Sequence, residues 1–465
     1  MSARGPGSEI DGFRLGETIH VGSMASIYRL TGTGGPLPLV MKIPRLGPGE
    51  RAVNVIGFEV CRMVLGALAQ SPHYPTLVAY GDVETTPYLV MEFVDGLRLH
   101  DWMARAPVAP QEIARLGTAL ALALHDIHRQ DVAHLDLKPT NVLYRATGEA
   151  VLVDFGLAHH GHYPDLLAEE LRYPVGNWVY MSPEQVLGVR CDPRSDIFAL
   201  GGMLYELATG RLPFGRPRSS AELRKRLYRD PVPPRAIVSA VPKWLQEIIL
   251  RCLEVDARER YDSSEQLAFD LSNPSRVDIT ERGSLTHRAG WVKLLRRRIR
   301  ARDFEPAPCP PPSTRVGPMP IILVAIAAPE TDQALLEALR DAARRIVAAD
   351  DRCRIACVTV VPPSAALSEE RDEETATGRH IKHLVNLRRW AAPLQLPEER
   401  VTCHVLESQK IAGALIDYAT MNDVGQILIG APNSRGAARL FLGVCTQVVA
   451  AAQCSVTVVR SPPQG

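Results

Sequence analysis

The chain has 465 residues, too many for one ordinary domain and enough for two or three, with 53 Lys and Arg balanced by 52 Asp and Glu. A net charge of +1 provides no general attraction to nucleic acid or to an anionic membrane surface. Nine cysteines, an odd number with no Cys-x-x-Cys, suit neither a disulfide framework nor a zinc site; they read as small buried hydrophobes in a reducing cytoplasm.

Residues 1–10 contain no apolar core, so no secretory signal is expected and the segment reads as a flexible N-terminus. From 11 to 93 the pattern is that of strands with one helix. Leu39-Val40-Met41-Lys42-Ile43 places a single cation on an apolar strand, and Tyr88 to Val94 reads as a later strand of the same sheet. Residues 94–271 are mainly helical. Between Gln111 and Arg129, apolar Ile113, Leu116, Leu120, Leu124 and Ile127 recur at helical spacing. A last helix, Ser263 to Leu271, opens on Ser-x-Glu and stops near Asn273-Pro274. Residues 272–318 form a linker. Its Trp291 to Arg302 stretch reads as a solvated basic helix resting on the preceding domain, and Pro306 to Pro320 as extended and stiff.

From 319 to 462 strands and helices alternate. Strands are expected at Ile321–Ile326, Arg354–Val361, Val401–Leu406, Gln426–Gly430 and Val456–Val459, and helices at Gln333–Ala349, Ile411–Met421 and Val444–Ala452. Continuous apolar strands separated by helices predict an α/β doubly wound parallel sheet covered on both faces. The longest apolar run, Ile321 to Ala328, falls well short of the roughly 20 residues that span a bilayer.

The chemistry is concentrated in the middle of the chain. His134-Leu135-Asp136-Leu137-Lys138-Pro139-Thr140-Asn141 precedes a short strand and then Asp154-Phe155-Gly156. A carboxylate and a carboxamide five apart on one loop, with a second carboxylate beyond a hairpin, supply the hard oxygen ligands that Mg²⁺ shares with nucleotide phosphates. The two motifs in this order resemble the catalytic segment of a eukaryotic-type (Hanks-type) bacterial serine/threonine protein kinase.

That resemblance implies a bilobal α+β kinase fold over 11–271, with lobes at 11–93 and 94–271, using ATP and Mg²⁺. Asp136 becomes the residue that accepts the substrate hydroxyl proton and Lys138 the support for the γ-phosphate, of the type found with Ser/Thr substrates. Asn141 and Asp154 become the metal ligands. Lys42 should pair with the α- and β-phosphates and be held by Glu59, with Glu50 a weaker alternative. Met91 would be the gatekeeper, and the backbone of Glu92 and Val94 would meet adenine. Further on, Met181-Ser182-Pro183-Glu184 stands in the place of Ala-Pro-Glu. Asp196 would brace the catalytic loop, and Arg260 would form a buried ion pair with Glu184.

The pattern is broken in three places. In the stretch His20-Val21-Gly22-Ser23-Met24-Ala25-Ser26-Ile27, aligned with Gly-x-Gly-x-x-Gly-x-Val, only Gly22 survives of the glycines, with Ile27 in the Val position. Leu135 replaces the Arg that binds a phosphorylated activation loop, and no Ser or Thr lies between Phe155 and Met181. The loop is therefore expected to be held by packing. Asn177 replaces a Thr and is expected to hydrogen-bond Asp136 or Lys138. The run His159-His160-Gly161-His162 reads as a solvated loop, without the ligand spacing of a metal site.

Ile427-Leu428-Ile429-Gly430-Ala431-Pro432 through Cys454 to Val459 is similar to universal stress proteins. Relatives that bind ATP carry Gly-x-x-Gly, nine residues, then Gly-Ser or Gly-Thr. Here Asn433-Ser434-Arg435-Gly436 is followed after six residues by Gly443-Val444, and the first strand ends Ala327-Ala328 without the usual Asp. Gly430, Gly436 and Gly443 read as turn and helix-start glycines, and no ATP binding is expected there.

The combined expectation is a cytoplasmic Ser/Thr protein kinase acting on protein hydroxyls, with a C-terminal regulatory domain that dimerises through Val456–Val459. Neither nucleic acid nor a membrane span enters. The alternatives are a pseudokinase scaffold or nucleotide sensor in stress signalling, and a small-molecule kinase.

Overall fold

In a computed structural model of the chain, the residues described are 5–22, 24–32, 37–46, 53–82, 85–167, 176–287, 298, 304–310, 320–327, 333–350, 352–362, 376–397, 400–431 and 438–460. Glu50, Ser23, the Trp291–Arg302 stretch apart from Arg298, and the glycine motif at 433–436 lie outside them.

The first lobe is a six-stranded antiparallel sheet. Its strands are β1 (Glu9–Ile10), β2 (Phe13–Val21), β3 (Ala25–Thr31), β4 (Leu39–Pro44), β5 (Leu77–Gly81) and β6 (Tyr88–Glu92), in the order β1-β2-β3-β4-β6-β5. Helix α1 (Val53–Ala67) crosses between β4 and β5. On β4 the alternation of side chains buries Met41 completely on one face and turns Lys42 to the other, opposite Ile27 of β3. Of the segment expected to be a flexible N-terminus, Glu9–Ile10 form β1. Ile10 is buried against the sheet, and Gly7 N–H donates to Leu15 O and Leu15 N–H to Ser8 O, because β1 caps an otherwise open edge.

The second lobe is built around α2 (Pro110–His128) and the buried helix α3 (Arg194–Thr209). All five apolar residues of the α2 stripe are at most 1% exposed, which at about 1.5–3 kcal/mol per buried side chain makes this helix a main contributor to the core. Helix α4 (Lys243–Cys252) and helix α5 (Ser264–Ser272) complete the lobe, and the Ser263 hydroxyl caps α5 by accepting from Gln266 N–H at 3.2 Å. The segment after 271 also rests on this lobe. Thr280, Arg282 and Gly283 all donate to the buried Glu247 carboxylate of α4, so the chain packs on this lobe as far as Leu285.

The C-terminal unit is a five-stranded, fully parallel sheet, as the apolar runs predict. Strands β7 (Ile321–Ala325), β8 (Arg354–Val361), β9 (Val401–Glu407), β10 (Val424–Ala431) and β11 (Ser455–Arg460) lie in the order β9-β8-β7-β10-β11. Helices α6 (Gln333–Ala349), α7 (Ala376–Ala391), α8 (Ile411–Met421) and α9 (Ala438–Ala451) cover it. Helix α7 was not foreseen; Leu384, Leu387, Trp390 and Ala391 are buried on its apolar face, with Ile381 packed beside them. Gly430 lies within β10 and not at a turn: a Cβ there would meet Leu335 Cδ2 at 3.0 Å, so the glycine admits helix α6. Gly443 sits inside α9, not at its start.

The two units pack against each other. Val55 of α1 is fully buried in the apolar cluster that contains Leu384 and Leu387. The Arg354 guanidinium lies 4.0 Å over the Tyr163 ring, and Asp165 N–H donates to Asn422 Oδ1 at 2.7 Å. The cysteines depart from expectation. Cys191 and Cys309 form a disulfide that ties the start of the Pro-rich segment to the second lobe, and Arg194 also donates to Pro308 O. A pairing across 118 residues leaves no spacing signal in the sequence. Of the remaining seven, Cys61, Cys252, Cys353, Cys357 and Cys445 are buried as expected. Among the described residues no helix is long and apolar enough to cross a membrane.

Candidate active site

The loop carrying His134 to Asn141 is fixed from beneath by α3. Asp196 accepts from His134 N–H at 2.8 Å and from Leu135 N–H at 2.9 Å, and His128 Nε2 lies 2.9 Å from the same carboxylate. Burial works against the Asp196 charge, but these partners hold its carboxyl below the usual range. They also hold Leu135 at φ 61°, a left-handed conformation costly for a branched side chain. That turn presents the next residue, Asp136, to the cleft.

Asp136 is 7% exposed and fully engaged. Its Oδ2 accepts from Lys138 Nζ at 2.5 Å and Asn141 Nδ2 at 3.2 Å, and its Oδ1 from Asn177 N–H at 3.2 Å. The Asn177 contact comes from the backbone; its side-chain oxygen instead accepts from Val179 N–H. Asn141 Nδ2 also donates to Asp136 O at 2.9 Å, so the carboxamide nitrogen is directed at Asp136.

Across the cleft, Lys42 Nζ donates to Asp154 Oδ1 at 2.6 Å. Lys42 is the main cause holding the Asp154 carboxyl well below the carboxylate range, and Lys138 and His134 act in the same direction. Burial, the largest single cause, would lower the Lys42 pKa, but Asp154 together with Cys61 and Asp136 more than offsets it and the net direction is upward. Five of the expected residues, Lys42, Asp136, Lys138, Asn141 and Asp154, are therefore mutually within electrostatic reach.

Glu59 is not with them. Its Oε2 lies 2.5 Å from Arg388 of α7 and 3.3 Å from Arg62, whereas Lys42 is taken by Asp154. The helix geometry explains the difference. Gly57 and Cys61, one turn apart, face the site: a Cβ on Gly57 would meet Gly156 O at 3.2 Å, and Cys61 feels the Lys42 charge. Residues two apart on an α-helix point about 200° apart, so Glu59 is directed away from Lys42.

Gly22 closes the β2–β3 turn by donating to Ala25 O at 2.9 Å, and a Cβ there would meet His20 Nε2 at 3.0 Å. Gly22 is thus the position at which the loop tolerates no side chain without a shift. Glu92 N–H is given to Thr76 O at 3.0 Å, and its side chain pairs with Arg145 at 2.7 Å. Val94 is buried beside it.

The segment after Asp154 is clasped by residues the motifs do not identify. Arg190 pairs with Asp165 at 2.6 Å and donates to Leu157 O and Ala158 O. Buried Arg226 donates to Trp178 O at 2.6 Å and to Met181 O, and burial pushes its pKa down to about 10. A fixed guanidinium on each end thus replaces the absent Arg at Leu135. Glu184 and Arg260 form the expected pair, bidentate at 2.7 and 2.8 Å. The histidine run is not a solvated loop. His159–His160 pairs as a strand with Val132–Ala133, His160 is buried with its pKa pushed down to about 3, and His162 meets Asp131 at 2.8 Å. Among the described residues no group of three or more His, Cys, Asp or Glu could hold a metal.

In the C-terminal unit the carboxyl ends of β7 and β8 open on a cavity of about 220 Å³ lined by Ile326, Ala327, Thr359, His383 and Trp390.

Residues 64–270 match the protein kinase domain family, and residues 319–460 match the universal stress protein family. The chain is 35% identical over 301 residues to serine/threonine-protein kinase Pkn1 of Myxococcus xanthus, covering 62% of this chain and 40% of that protein. It is 28% identical over 269 residues to serine/threonine-protein kinase PknB of Mycobacterium tuberculosis, covering 56% and 42%. A solved structure of the Mycobacterium tuberculosis PknI kinase domain shares 21% identity and a TM-score of 0.44, covering 59% of this chain and 99% of that one. The chain spans about two-fifths of the length of the curated relatives it matches. The chain thus carries a protein kinase domain at 64–270 followed by a universal stress protein domain at 319–460.

Proposed function

We propose that this chain is a serine/threonine protein kinase that transfers the γ-phosphate of ATP to protein Ser and Thr hydroxyls. The observation that carries the reading is the convergence of Lys42 and Asp154 with the Asp136–Lys138–Asn141 cluster. Protein kinases use ATP with a divalent metal, and the residues present suit Mg²⁺. Asp154 offers carboxylate oxygen, and Asn141, with its amide nitrogen turned to Asp136, offers its remaining oxygen. When bound, the metal supplies charge neutralisation on the phosphate oxygens.

The protein's own groups do the rest. Lys42 binds the α- and β-phosphates, Gly22 and Ile27 cover the nucleotide, and the backbone of Glu92 and Val94 meets adenine. Asp136 accepts the proton of the substrate hydroxyl as its oxygen attacks the γ-phosphorus, and the bond to the β-phosphate oxygen breaks. Lys138 stabilises the transferring group. Positioning and electrostatics lower the barrier. A scaffold that binds nucleotide without transfer is the competing reading, favoured by His20 and Ala25 in the glycine loop and opposed by the complete Asp136–Asn141–Asp154 set. The exposed edge strand β11, with Val458 40% exposed, is the surface a second copy would pair with.

The test is γ-labelled ATP and Mg²⁺ with full-length protein and a generic protein acceptor. Asp136→Ala should reduce transfer by about 10²- to 10⁴-fold. An unchanged rate would remove the assignment.

A further inference from the structure

We infer that the basic surface formed by residues 211–230 of the kinase domain is a docking site for an acidic stretch of the protein substrate, held by Arg211, Arg216 and Arg229. The inference rests on the kinase reading above and names the substrate chemistry that goes with it.

Three observations carry it. First, residues 211–230 hold seven Lys and Arg against Glu222 and Asp230, a local excess of five in a chain whose net charge is +1. Arg211, Arg216, Arg218, Arg224 and Arg229 are all exposed, and among the described residues their side chains enter no ion pair. Glu222 is already engaged, with Lys225 Nζ at 4.0 Å and Arg218 N–H donating to it at 2.8 Å. Like charges crowded on one face repel one another, and a partner bearing carboxylates relieves that repulsion. Second, the surface is concave and stiff. Arg211, Arg216, Lys225 and Arg229 line a cavity of about 460 Å³ together with apolar Phe214 and Val232. The Phe214 ring stacks on Phe198 of α3 at 5.9 Å, and Tyr205 OH donates to Val232 O at 2.8 Å. Pro213 and Pro217 bracket the loop and Gly215 takes φ 72°, so the backbone that presents Arg216 has little freedom. Third, the surface is continuous with the site. Arg226 of the same segment donates to Trp178 O and Met181 O, and Asn177 N–H donates to Asp136 Oδ1 at 3.2 Å. Between those carbonyls lies Tyr180, whose hydroxyl donates to Glu206 and feels the Arg216 charge.

The spacing sets where the acidic residues fall. Asn177, which touches Asp136, and Tyr180, which feels Arg216, are three residues apart and so at most about 10 Å. A substrate with its hydroxyl at Asp136 therefore brings residues about three or more positions away over Arg216. A guanidinium holds a carboxylate there through two parallel N–H···O bonds. Because these cations are exposed, each contact changes affinity by only about twofold to fivefold, and selectivity comes from several acting together. A substrate with Lys or Arg at the same distance is repelled, so the surface rejects as well as attracts. None of the three arginines reaches the reacting atoms. They act on KM and leave kcat alone.

The experiment compares full-length wild type with Arg216→Glu/Arg229→Glu and Arg216→Lys/Arg229→Lys. The probes are a peptide with one Ser and Glu residues three to five positions to either side, and the same peptide with Lys in place of each Glu. Fluorescence anisotropy of the labelled peptides without ATP reads binding, and transfer from γ-labelled ATP reads KM and kcat. Wild type should bind the acidic peptide about tenfold more tightly than the basic one. The Glu variant should lose about tenfold in Kd and KM for the acidic peptide at unchanged kcat, and gain affinity for the basic peptide, a gain that a misfolded protein would not show. The Lys variant keeps the charge and should stay within about threefold of wild type. Equal binding of the acidic peptide by wild type and the Glu variant would overturn the docking surface. A single-stranded oligonucleotide of the same charge binding as tightly as the acidic peptide would overturn the peptide assignment. Binding lost in the Glu variant, with an unchanged KM ratio for the two peptides, would overturn the link to substrate choice. Charge-dependent peptide binding with no transfer by any protein, wild type included, would support the surface and remove the kinase reading instead.

Discussion

Asp196→Ala should both loosen the fold and misplace the catalytic loop. Asp196 is 1% exposed and receives the His134 and Leu135 N–H groups at 2.8 and 2.9 Å. Its removal leaves two buried donors without an acceptor, at about 1–3 kcal/mol each. Part of that returns, because Leu135 no longer needs its φ of 61° and relaxation of a left-handed residue is worth about 1–3 kcal/mol. The net loss should be about 2 kcal/mol, or a fall of roughly 4–8 °C in the Tm of a domain this size. The relaxation that limits the stability loss also moves Asp136, so transfer should fall further than stability alone would explain. Asp196→Asn keeps one acceptor oxygen and should lose about half as much. Thermal unfolding by circular dichroism, with rates measured well below Tm, separates the two effects. A variant within 2 °C of wild type and equally active would refute the bracing argument.

Arg260→Ala strands the buried Glu184 carboxylate and should cost about 3–5 kcal/mol, whereas Arg260→Met/Glu184→Leu should recover much of it; denaturant titration checks the order. His404 is buried beside Tyr418 OH at 2.9 Å, and burial pushes its pKa down to about 3, with Asp165 acting weakly in the other direction. The unfolded chain then binds a proton that the folded one refuses. The resulting stability is whole above pH 6.5 and lost, at about 1.4 kcal/mol per pH unit, as pH falls toward 3. His404→Gln should flatten that slope by about one proton in the pH dependence of urea unfolding. Because Arg190 and Arg226 hold the activation segment without phosphate, phosphatase-treated protein should transfer without a lag; a phosphotyrosine at Tyr163, Tyr173 or Tyr180 whose removal silences transfer would contradict this.

What could be read from the sequence was chemistry carried by neighbours in the chain. Asp136, Lys138 and Asn141 sit on one loop, and the α2 stripe and the parallel strands announce themselves by period. Helix α7 was missed because its apolar face is short and interrupted by Lys382, His383, Arg388 and Arg389, which hide the period. The contacts that join the two domains have no local signature at all. Arg388 and Asp82 are 306 residues apart, and Cys191 and Cys309 meet only because the linker returns to the second lobe. Glu59 was assigned to Lys42 by its place after β4, but the phase of α1, which puts Gly57 and Cys61 on the face toward the site, is set by packing that the strand-to-helix spacing does not show.

The central claim is that this site transfers phosphate. A single-turnover measurement with γ-labelled ATP, followed by phosphoamino-acid analysis, tests it directly. Wild-type protein should place label on Ser and Thr, and Asp154→Ala should abolish it, because no other described carboxylate meets Lys42. Bound ATP with no label on any acceptor in the wild-type protein would contradict the account.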